Sequence, residues 1–149
     1  MTQKLVVKFQ KCSEGAVGPT RAHETDAGWD LYYCGPNVTI PSGSNAKLGT
    51  GLRVELPMGY YLQIANRSGI ATKMGLLKGA EICDFLYNGE IIVNLHNPSS
   101  VTVTIESGMK IAQCLLLPVP DWSFEEAPAD YTLNKGTLRA EKGFGSSGI

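Results

Sequence analysis

The sequence predicts an all-β fold, a sandwich or a barrel. Short runs rich in branched apolar residues recur along the chain, and clusters of turn residues separate them at the spacing of such folds. No long helical pattern interrupts the runs. A chain of 149 residues suits one domain, which can bury roughly 70% of the surface that it exposes when unfolded.

The predicted strands follow one another in the first 120 residues. VTVTIES alternates with a period of two, as a half-buried strand does, and Asn88-Gly89 is a strong signal for a tight hairpin between antiparallel strands. The runs that we predict as strands are LVVKF, NVTIPSGSN, LGTGLRVELPMG, YYLQIAN, NGEIIVNLHNPSS, VTVTIESGMK and IAQCLLLPVP.

Two segments depart from the β pattern. SGIATKMG predicts a short, capped helix, because it opens on the hydroxyl of Ser68 and stops at Gly75. After Pro120 the composition shifts to small and charged residues, so we predict a β-domain over residues 1–120 and an arm over residues 121–149. Such an arm packs on its own subunit, hangs free, or reaches a neighbouring copy.

Composition limits the partners and the compartment. Thirteen Lys and Arg against fourteen Asp and Glu leave a net charge of −1, which argues against a nucleic-acid-binding surface. Cys12, Cys34, Cys83 and Cys114 have neither the spacing of a zinc site nor that of a redox pair. The chain shows no signal peptide and no apolar run near the ~18 residues of a membrane span. We therefore expect an intracellular protein, cytoplasmic or nuclear, with no membrane partner; a viral or phage origin stays open.

Five stretches stand out as candidates for chemistry: DAGWDLY, NRSGIATKMGL, EICDFLYNGE, GMKIAQ and LRAEKGFGSSG. In this order, and over almost the whole chain, they resemble the five motifs of the trimeric dUTP diphosphatases (dUTPases). The resemblance implies a jelly-roll-like subunit with one short helix and an extended C-terminal arm, in a homotrimer with shared active sites. It also implies Mg²⁺ as the cofactor and hydrolysis of dUTP to dUMP and pyrophosphate, which limits uracil in DNA and supplies dUMP for dTTP synthesis.

Arg67, Ser68 and Gly69 stand at the opening of the predicted helix. A guanidinium fork, a hydroxyl and free backbone amides at one place form a seat for a phosphate group. The plain alternative is an exposed arginine beside an ordinary N-cap, and the two are about equal on this segment alone. The resemblance favours phosphate binding.

Asp84 and Tyr87 come before the Asn88-Gly89 turn. A carboxylate held beside a turn can orient and deprotonate a water molecule, although an isolated aspartate there is usually a turn residue. The resemblance implies that Asp84 activates the water that attacks the α-phosphate. It also implies that Tyr87 lies under the deoxyribose and excludes a 2′-hydroxyl.

The glycine-spaced tail GFGSSGI is either a frayed terminus or a segment that orders over a ligand. The resemblance implies that Phe144 stacks on uracil and that Arg139 reaches the γ-phosphate. Gly145, Ser146 and Ser147 would hold phosphate oxygens. Since ordering a flexible segment costs entropy, the tail should close as a lid when nucleotide binds.

The remaining site residues also follow from the resemblance. Asp30 would hold hydrated Mg²⁺ through water, because that ion keeps several waters when it binds phosphates. Gln113 would contact a phosphate and a water. The stretch 76–84, which includes Gly79 and Ile82, would read the base through its backbone.

The third motif is divergent. Glu81 stands where the family generally has glycine, Leu86 replaces a second aspartate, Asn88 replaces a common arginine and Asn66 replaces a common proline. Glu81 either perturbs uracil recognition, repels the triphosphate or points outward.

Two alternative functions compete with dUTP hydrolysis. One is a dUTPase-like scaffold that acts by binding a nucleotide or a protein as a regulator. The other is a relative of dCTP deaminase, which needs a glutamate where this chain has Asn94.

Overall fold

The computed structural model describes residues 4–132, and this part of the chain holds eleven strands and one helix. The all-β prediction is confirmed. The elements in chain order are β1 (Lys8–Lys11), β2 (Trp29–Tyr32), β3 (Val38–Ile40), β4 (Asn45–Gly49), β5 (Leu52–Glu55), β6 (Tyr60–Ala65), α1 (Ser68–Lys73), β7 (Leu77–Lys78), β8 (Ile82–Cys83), β9 (Ile92–His96), β10 (Val103–Ile105) and β11 (Lys110–Pro118).

The strands form small antiparallel sheets whose neighbours are distant in sequence. One sheet has the order β2-β11-β6-β8, a second has the order β4-β9-β7, and two ribbons pair β1 with β5 and β10 with β3. Long crossings between sheets of this kind are characteristic of jelly rolls, because strands far apart in the chain must return to pair. β11 is the longest strand and joins β2 to β6.

The core lies between these sheets and is filled by aliphatic side chains. In β9, Val93 and Leu95 are buried and alternate with more exposed residues, as a strand with one face on the core requires. The buried polar side chains are bonded: Thr50 donates to the Ile91 carbonyl at 2.8 Å, and Asn97 donates to the Ile40 carbonyl at 2.8 Å. The largest fully buried side chains are those of Leu31, Ile40, Leu48, Leu52, Ile64, Leu76, Ile91, Leu95, Ile105, Ile111, Val93 and Asn97.

Helix α1 forms where the sequence predicts it, but its start differs in detail. Arg67 is the N-cap residue and makes no side-chain cap bond, while Ser68 is already helical. The predicted hydroxyl cap is therefore wrong. The predicted stop is confirmed: Gly75 follows the helix with a φ of +66°, a left-handed conformation that glycine adopts without strain.

The predicted hairpin at Asn88-Gly89 does not form. β8 pairs with β6, whereas β9 pairs with β4 and β7, so the strands on either side of this dipeptide lie in different sheets. The tight turn comes earlier, where the Tyr87 amide donates to the Asp84 carbonyl at 3.0 Å. A local turn signal was overridden because the edge of β6 offers β8 a partner.

Within residues 4–132, no helix has the length and apolar character needed to cross a membrane.

Candidate active site

Three charged side chains from separate elements meet at one end of the β2-β11-β6 sheet. Arg67, at the start of α1, donates from Nε to Oδ1 of Asp30 on β2 at 2.7 Å. Lys110, the first residue of β11, places Nζ 2.8 Å from the other carboxylate oxygen. Arg67 also donates to the Lys110 carbonyl at 3.4 Å. Two cations against one carboxylate leave this cluster with a net positive charge, which suits an anionic ligand.

The contacts within this cluster shift the pKa values of two of its side chains, Asp30 and Lys110. Partial burial raises the pKa of Asp30, but the hydrogen bonds and positive charges of Lys110 and Arg67 more than offset it, so that this pKa lies below its usual value. The hydrogen bond to Asp30 raises the pKa of Lys110. Both groups are therefore charged at neutral pH.

Gln113 lies beside this cluster on β11. Pairing of β11 places it opposite Asp30 on β2 and opposite Ala65 on β6. Its Nε2 donates to the Asn66 carbonyl at 2.8 Å. Gly28 makes room for it, because a Cβ at that position would collide with Gln113 Oε1.

Ser68 and Gly69 form the first turn of α1 next to Arg67. Ser68 is exposed, and a Cβ added at Gly69 would meet nothing within 4 Å, so open space adjoins the backbone there. The first amides of a helix have no partner within the helix and can bind a ligand.

A second group of predicted residues lies around a separate pocket of about 240 Å³. Asp84, at the end of β8, is exposed, and Tyr87 donates its hydroxyl to the Glu90 carbonyl at 2.8 Å. Asp30, Arg67, Ser68 and Gln113 do not line this pocket. Its lining residues are Ile64, Ala80, Glu81, Ile82, Cys83, Asp84, Tyr87 and Ile92.

Gly79 lies between β7 and β8 in the chain and is bonded to β9. Its amide donates to the Asn94 carbonyl at 2.8 Å, and a Cβ at Gly79 would collide with Asn94 Oδ1. Asn94 also donates to Asn45 at 3.2 Å and to the Ala46 carbonyl at 3.3 Å. The side chain at the position where a deaminase needs its acid is thus engaged in neutral hydrogen bonds.

Glu81 does not simply point outward. It belongs to the lining of the Asp84 pocket, and its carboxylate forms an ion pair with Lys78, three residues earlier. The sequence marked Glu81 as unusual but gave Lys78 no role.

The arm residues named from the sequence, Arg139, Phe144, Gly145, Ser146 and Ser147, lie outside the described residues. Residues 121–132 are described, and all of them are exposed. Within this segment the rings of Trp122 and Phe124 stack edge to face, with centroids 4.8 Å apart.

The donor set around Asp30 bears on the expected Mg²⁺. Within residues 4–132 no three His, Cys, Asp or Glu side chains come together as a metal site. A single carboxylate whose two oxygens already accept from Arg67 and Lys110 does not chelate an ion. It fits contact through water with an ion held by phosphate oxygens.

Two residues beside Asp30 and Gln113 were not predicted from the sequence. Lys110 holds Asp30, and Asn66 receives the Gln113 side chain at its carbonyl while its own side-chain oxygen accepts from the Lys78 amide at 2.9 Å. The sequence signal that could have identified Lys110 was the GMKIAQ stretch, which includes it.

Comparison with known proteins identifies the family. The dUTPase family profile matches residues 15–148. The deoxyuridine 5'-triphosphate nucleotidohydrolase of Clostridium novyi is 38% identical over 148 residues, covering 98% of this chain and 99% of the relative. The Saccharomyces cerevisiae protein of the same name is 35% identical over 147 residues, with 99% and 97% covered. The chain therefore belongs to the dUTPase family.

Solved structures agree on the fold. A mutant of the Staphylococcus bacteriophage 80alpha dUTPase with dUpNHpp superposes with a TM-score of 0.82 at 26% identity, over 97% of this chain and 99% of that one. The 80alpha dUTPase is also described among phage dUTPases that control transfer of virulence genes. A mutant dUTPase from phage phi11 of S. aureus, described with a structural Mg(II) ion, has a TM-score of 0.75 at 24% identity over 86% of this chain and 99% of that one. The jelly-roll expectation is confirmed.

Proposed function

We propose that this chain is a dUTP diphosphatase that converts dUTP and water to dUMP and pyrophosphate. Water oxygen attacks the α-phosphorus, the bond from that phosphorus to the α,β-bridging oxygen breaks, and pyrophosphate leaves. The water proton passes to Asp84, which acts as the general base. This is simple hydrolysis and needs no covalent enzyme intermediate.

The observation that carries the proposal is the pocket that Asp84 shares with Ile82 and Tyr87 in a chain of this family. Asp84 is exposed, so a water and a nucleotide can both reach it. The Tyr87 hydroxyl is tied to the Glu90 carbonyl, which holds the ring against the same pocket. The Tyr87 ring, fixed beside the general base Asp84, can occupy the space that a 2′-hydroxyl of the nucleotide would need.

The triphosphate is assigned to the positive cluster. Arg67, with Ser68 and Gly69 at the opening of α1, and Gln113 offer donors near one another, and Arg139 would join them from the arm. Mg²⁺ bound to the triphosphate would offset part of its charge, and Asp30 would hold the hydrated ion through water. In the described structure Asp30 keeps Arg67 in place.

The uracil end is assigned to the segment that precedes Asp84. Gly79 and Ile82 would present backbone donors and acceptors to the base edge, which discriminate bases by leaving the wrong one unpaired. Phe144 would cover the ring, and Gly145, Ser146 and Ser147 would bind phosphate oxygens as the arm closes.

We also infer a homotrimer whose subunits share active sites. The residues of the cluster around Arg67 do not line the pocket around Asp84, although the chemistry needs both groups on one nucleotide. Large apolar side chains beside Asp84 are exposed, among them Ile82 at 53% and Leu86 at 82%. Such exposure supports cover by another copy.

Pyrophosphate release from dUTP, dCTP, dTTP and UTP tests the proposed reaction. The chain should strongly prefer dUTP. Asp84→Asn should still bind a non-hydrolysable dUTP analogue but lose turnover by about 10²- to 10⁴-fold. Near-normal turnover of this variant would remove Asp84 from its role, and ammonia release from dCTP would point to a deaminase.

One observation favours a second function, that of a regulator. The 80alpha phage dUTPase, which shares this fold at 26% identity, is described as controlling transfer of virulence genes. A regulatory scaffold that had lost catalysis would bind the dUTP analogue and release no pyrophosphate from dUTP. The same assay therefore separates the two functions.

We infer a reducing intracellular compartment, cytoplasmic or nuclear. All four cysteines are free thiols in the structure, which supports such a compartment. Fractionation of the source cells, followed by detection of the chain with an antibody, would test this inference.

A further inference from the structure

The segment from Lys78 to Glu81 is anchored on three sides. The Lys78 amide donates to Asn66 Oδ1 at 2.9 Å, and the Gly79 amide donates to the Asn94 carbonyl at 2.8 Å. The Glu81 carbonyl accepts from the Ile64 amide at 2.7 Å. Since its backbone is fixed, the Cα–Cβ bonds of Lys78 and Glu81 point in defined directions, and their side chains start from fixed positions.

Within this segment Lys78 and Glu81 form an ion pair. The Lys78 side chain is 22% exposed and that of Glu81 is 39% exposed, so the pair is partly shielded from water. Such pairs interact more strongly than fully exposed ones, because less solvent screens them.

Glu81 shares its pocket with Asp84. An uncompensated second carboxylate there would repel a polyanionic nucleotide. The chain carries Glu81 at a position where the family generally has glycine. A cation beside Glu81 would remove the repulsion between its carboxylate and the nucleotide.

We propose that Lys78 is a positioning residue that neutralises Glu81, so that the nucleotide entering the pocket meets one free carboxylate, that of Asp84. This proposal rests on the proposed dUTP hydrolysis. Lys78 affects the nucleotide only by neutralising the charge of Glu81, and it is not itself a catalytic residue.

Charge variants of Lys78, alone and together with Glu81→Gln, test the proposal in the full-length protein. Lys78→Met should raise the KM for dUTP about three- to tenfold, because Glu81 is then uncompensated. The kcat should change by less than about twofold, since the chemical groups are kept. Lys78→Met/Glu81→Gln should restore the KM, because both charges are gone, and Lys78→Arg should keep it near the wild-type value.

Ionic strength separates a charge effect from a packing effect. The KM defect of Lys78→Met should shrink between about 0.01 M and about 0.15 M salt, where the Debye length falls from about 30 Å to about 8 Å. Lys8→Met/Glu55→Gln is the matched control, since it removes an ion pair of 3.0 Å whose side chains are 74% and 72% exposed. It should leave KM unchanged.

The outcomes distinguish the two proposals. A wild-type protein that releases no pyrophosphate from dUTP overturns the proposed function and this inference with it. A wild-type protein that is active overturns the inference alone if Lys78→Met has an unchanged KM, or if the double variant is as impaired as Lys78→Met. If circular dichroism shows that Lys78→Met is misfolded, a folded Lys78→Gln variant takes its place in the same comparison.

Discussion

At the scale of single residues, Asp30 shows how the fold places charged side chains around a residue of a sequence motif. The resemblance assigned it to hydrated Mg²⁺, and the structure places it between Arg67 and Lys110. Its side chain is 16% exposed, so these contacts are better shielded than an ordinary surface ion pair. Asp30 thereby holds two cations toward the place assigned to the triphosphate.

The depressed pKa of Asp30 predicts a pH-dependent contribution to stability. Because the folded-state pKa lies below the usual 3.8, the ionised carboxylate stabilises the fold above that pH. This contribution is lost as the pH falls through the folded-state value. Asp30→Asn should lower the free energy of unfolding by about 1–2 kcal/mol at pH 7, and the difference should disappear once the pH falls below the folded-state pKa of Asp30.

Urea denaturation of both proteins across this pH range is the measurement. Asp121→Asn, on the exposed segment after Pro120, is the control and should follow the wild-type curve at every pH. An Asp30→Asn deficit that stays unchanged as the pH falls far below the usual pKa of 3.8 would show that the effect is packing and not charge.

At the scale of elements, β11 organises the positive cluster to which we assign the triphosphate. It pairs with β2 and β6 at once, which places Gln113 beside Asp30 and aligns Lys110 with Tyr32. A register shift between Lys110 and Ala112 turns the start of this strand. The sequence predicted β11 as a strand, but its two partners depend on pairing across the sheet.

Two glycines at the ends of α1 predict opposite effects on stability. Gly69→Ala places a Cβ in open space within the helix and should raise the free energy of unfolding by about 0.5 kcal/mol. It should also raise the KM for dUTP, because the Cβ occupies the space assigned to phosphate. Urea denaturation and steady-state kinetics measure the two effects.

Gly75→Ala is the matched control. Its Cβ also meets nothing within 4 Å, but its φ of +66° strains any residue with a Cβ, so the variant should lose about 1 kcal/mol of stability and keep its KM. An unchanged KM in Gly69→Ala would exclude Gly69 from the phosphate site.

At the scale of the whole molecule, the residues assigned to one nucleotide do not share one pocket in the described chain. Asp84 lines a pocket that Arg67 does not line, Arg67 is paired with Asp30, and the arm residues follow the described part. The arm and the neighbouring copies are therefore where we expect the site to be completed.

Truncation before Gly143 tests the arm as a lid. The shortened protein should keep its fold and its oligomeric state by light scattering, because the core lies in the β-domain. Its pyrophosphate release from dUTP should fall by at least about tenfold, since Phe144 and its neighbours are lost. Normal hydrolysis by the truncated protein would refute the lid.

A pair of point variants refines this test. Phe144→Ala should reproduce much of the loss by removing the ring assigned to uracil. Phe124→Ala, at a ring that is 92% exposed, should leave dUTP hydrolysis unchanged.

Local sequence was sufficient for the β-rich character, the short helix that stops at Gly75, and the order of the motifs that placed the chain in its family. These depend on backbone preferences and short spacings within a few residues. Strands β2, β7 and β8 were not predicted, because runs of two to four residues are too short to give a distinct periodic signal.

Tertiary structure alone decided which distant residues meet. Asn88-Gly89 carries a hairpin signal, yet β8 pairs with β6 and β9 pairs with β4 and β7, so the two strands beside this dipeptide lie in different sheets. Lys110 reached Asp30, which is distant in sequence, through the pairing of β11 with β2. Lys78 lies close to Glu81 in sequence, but the anchors on Asn66 and Asn94 hold their segment at the pocket wall. Contacts of this kind depend on strand register, which is a property of the assembled sheets.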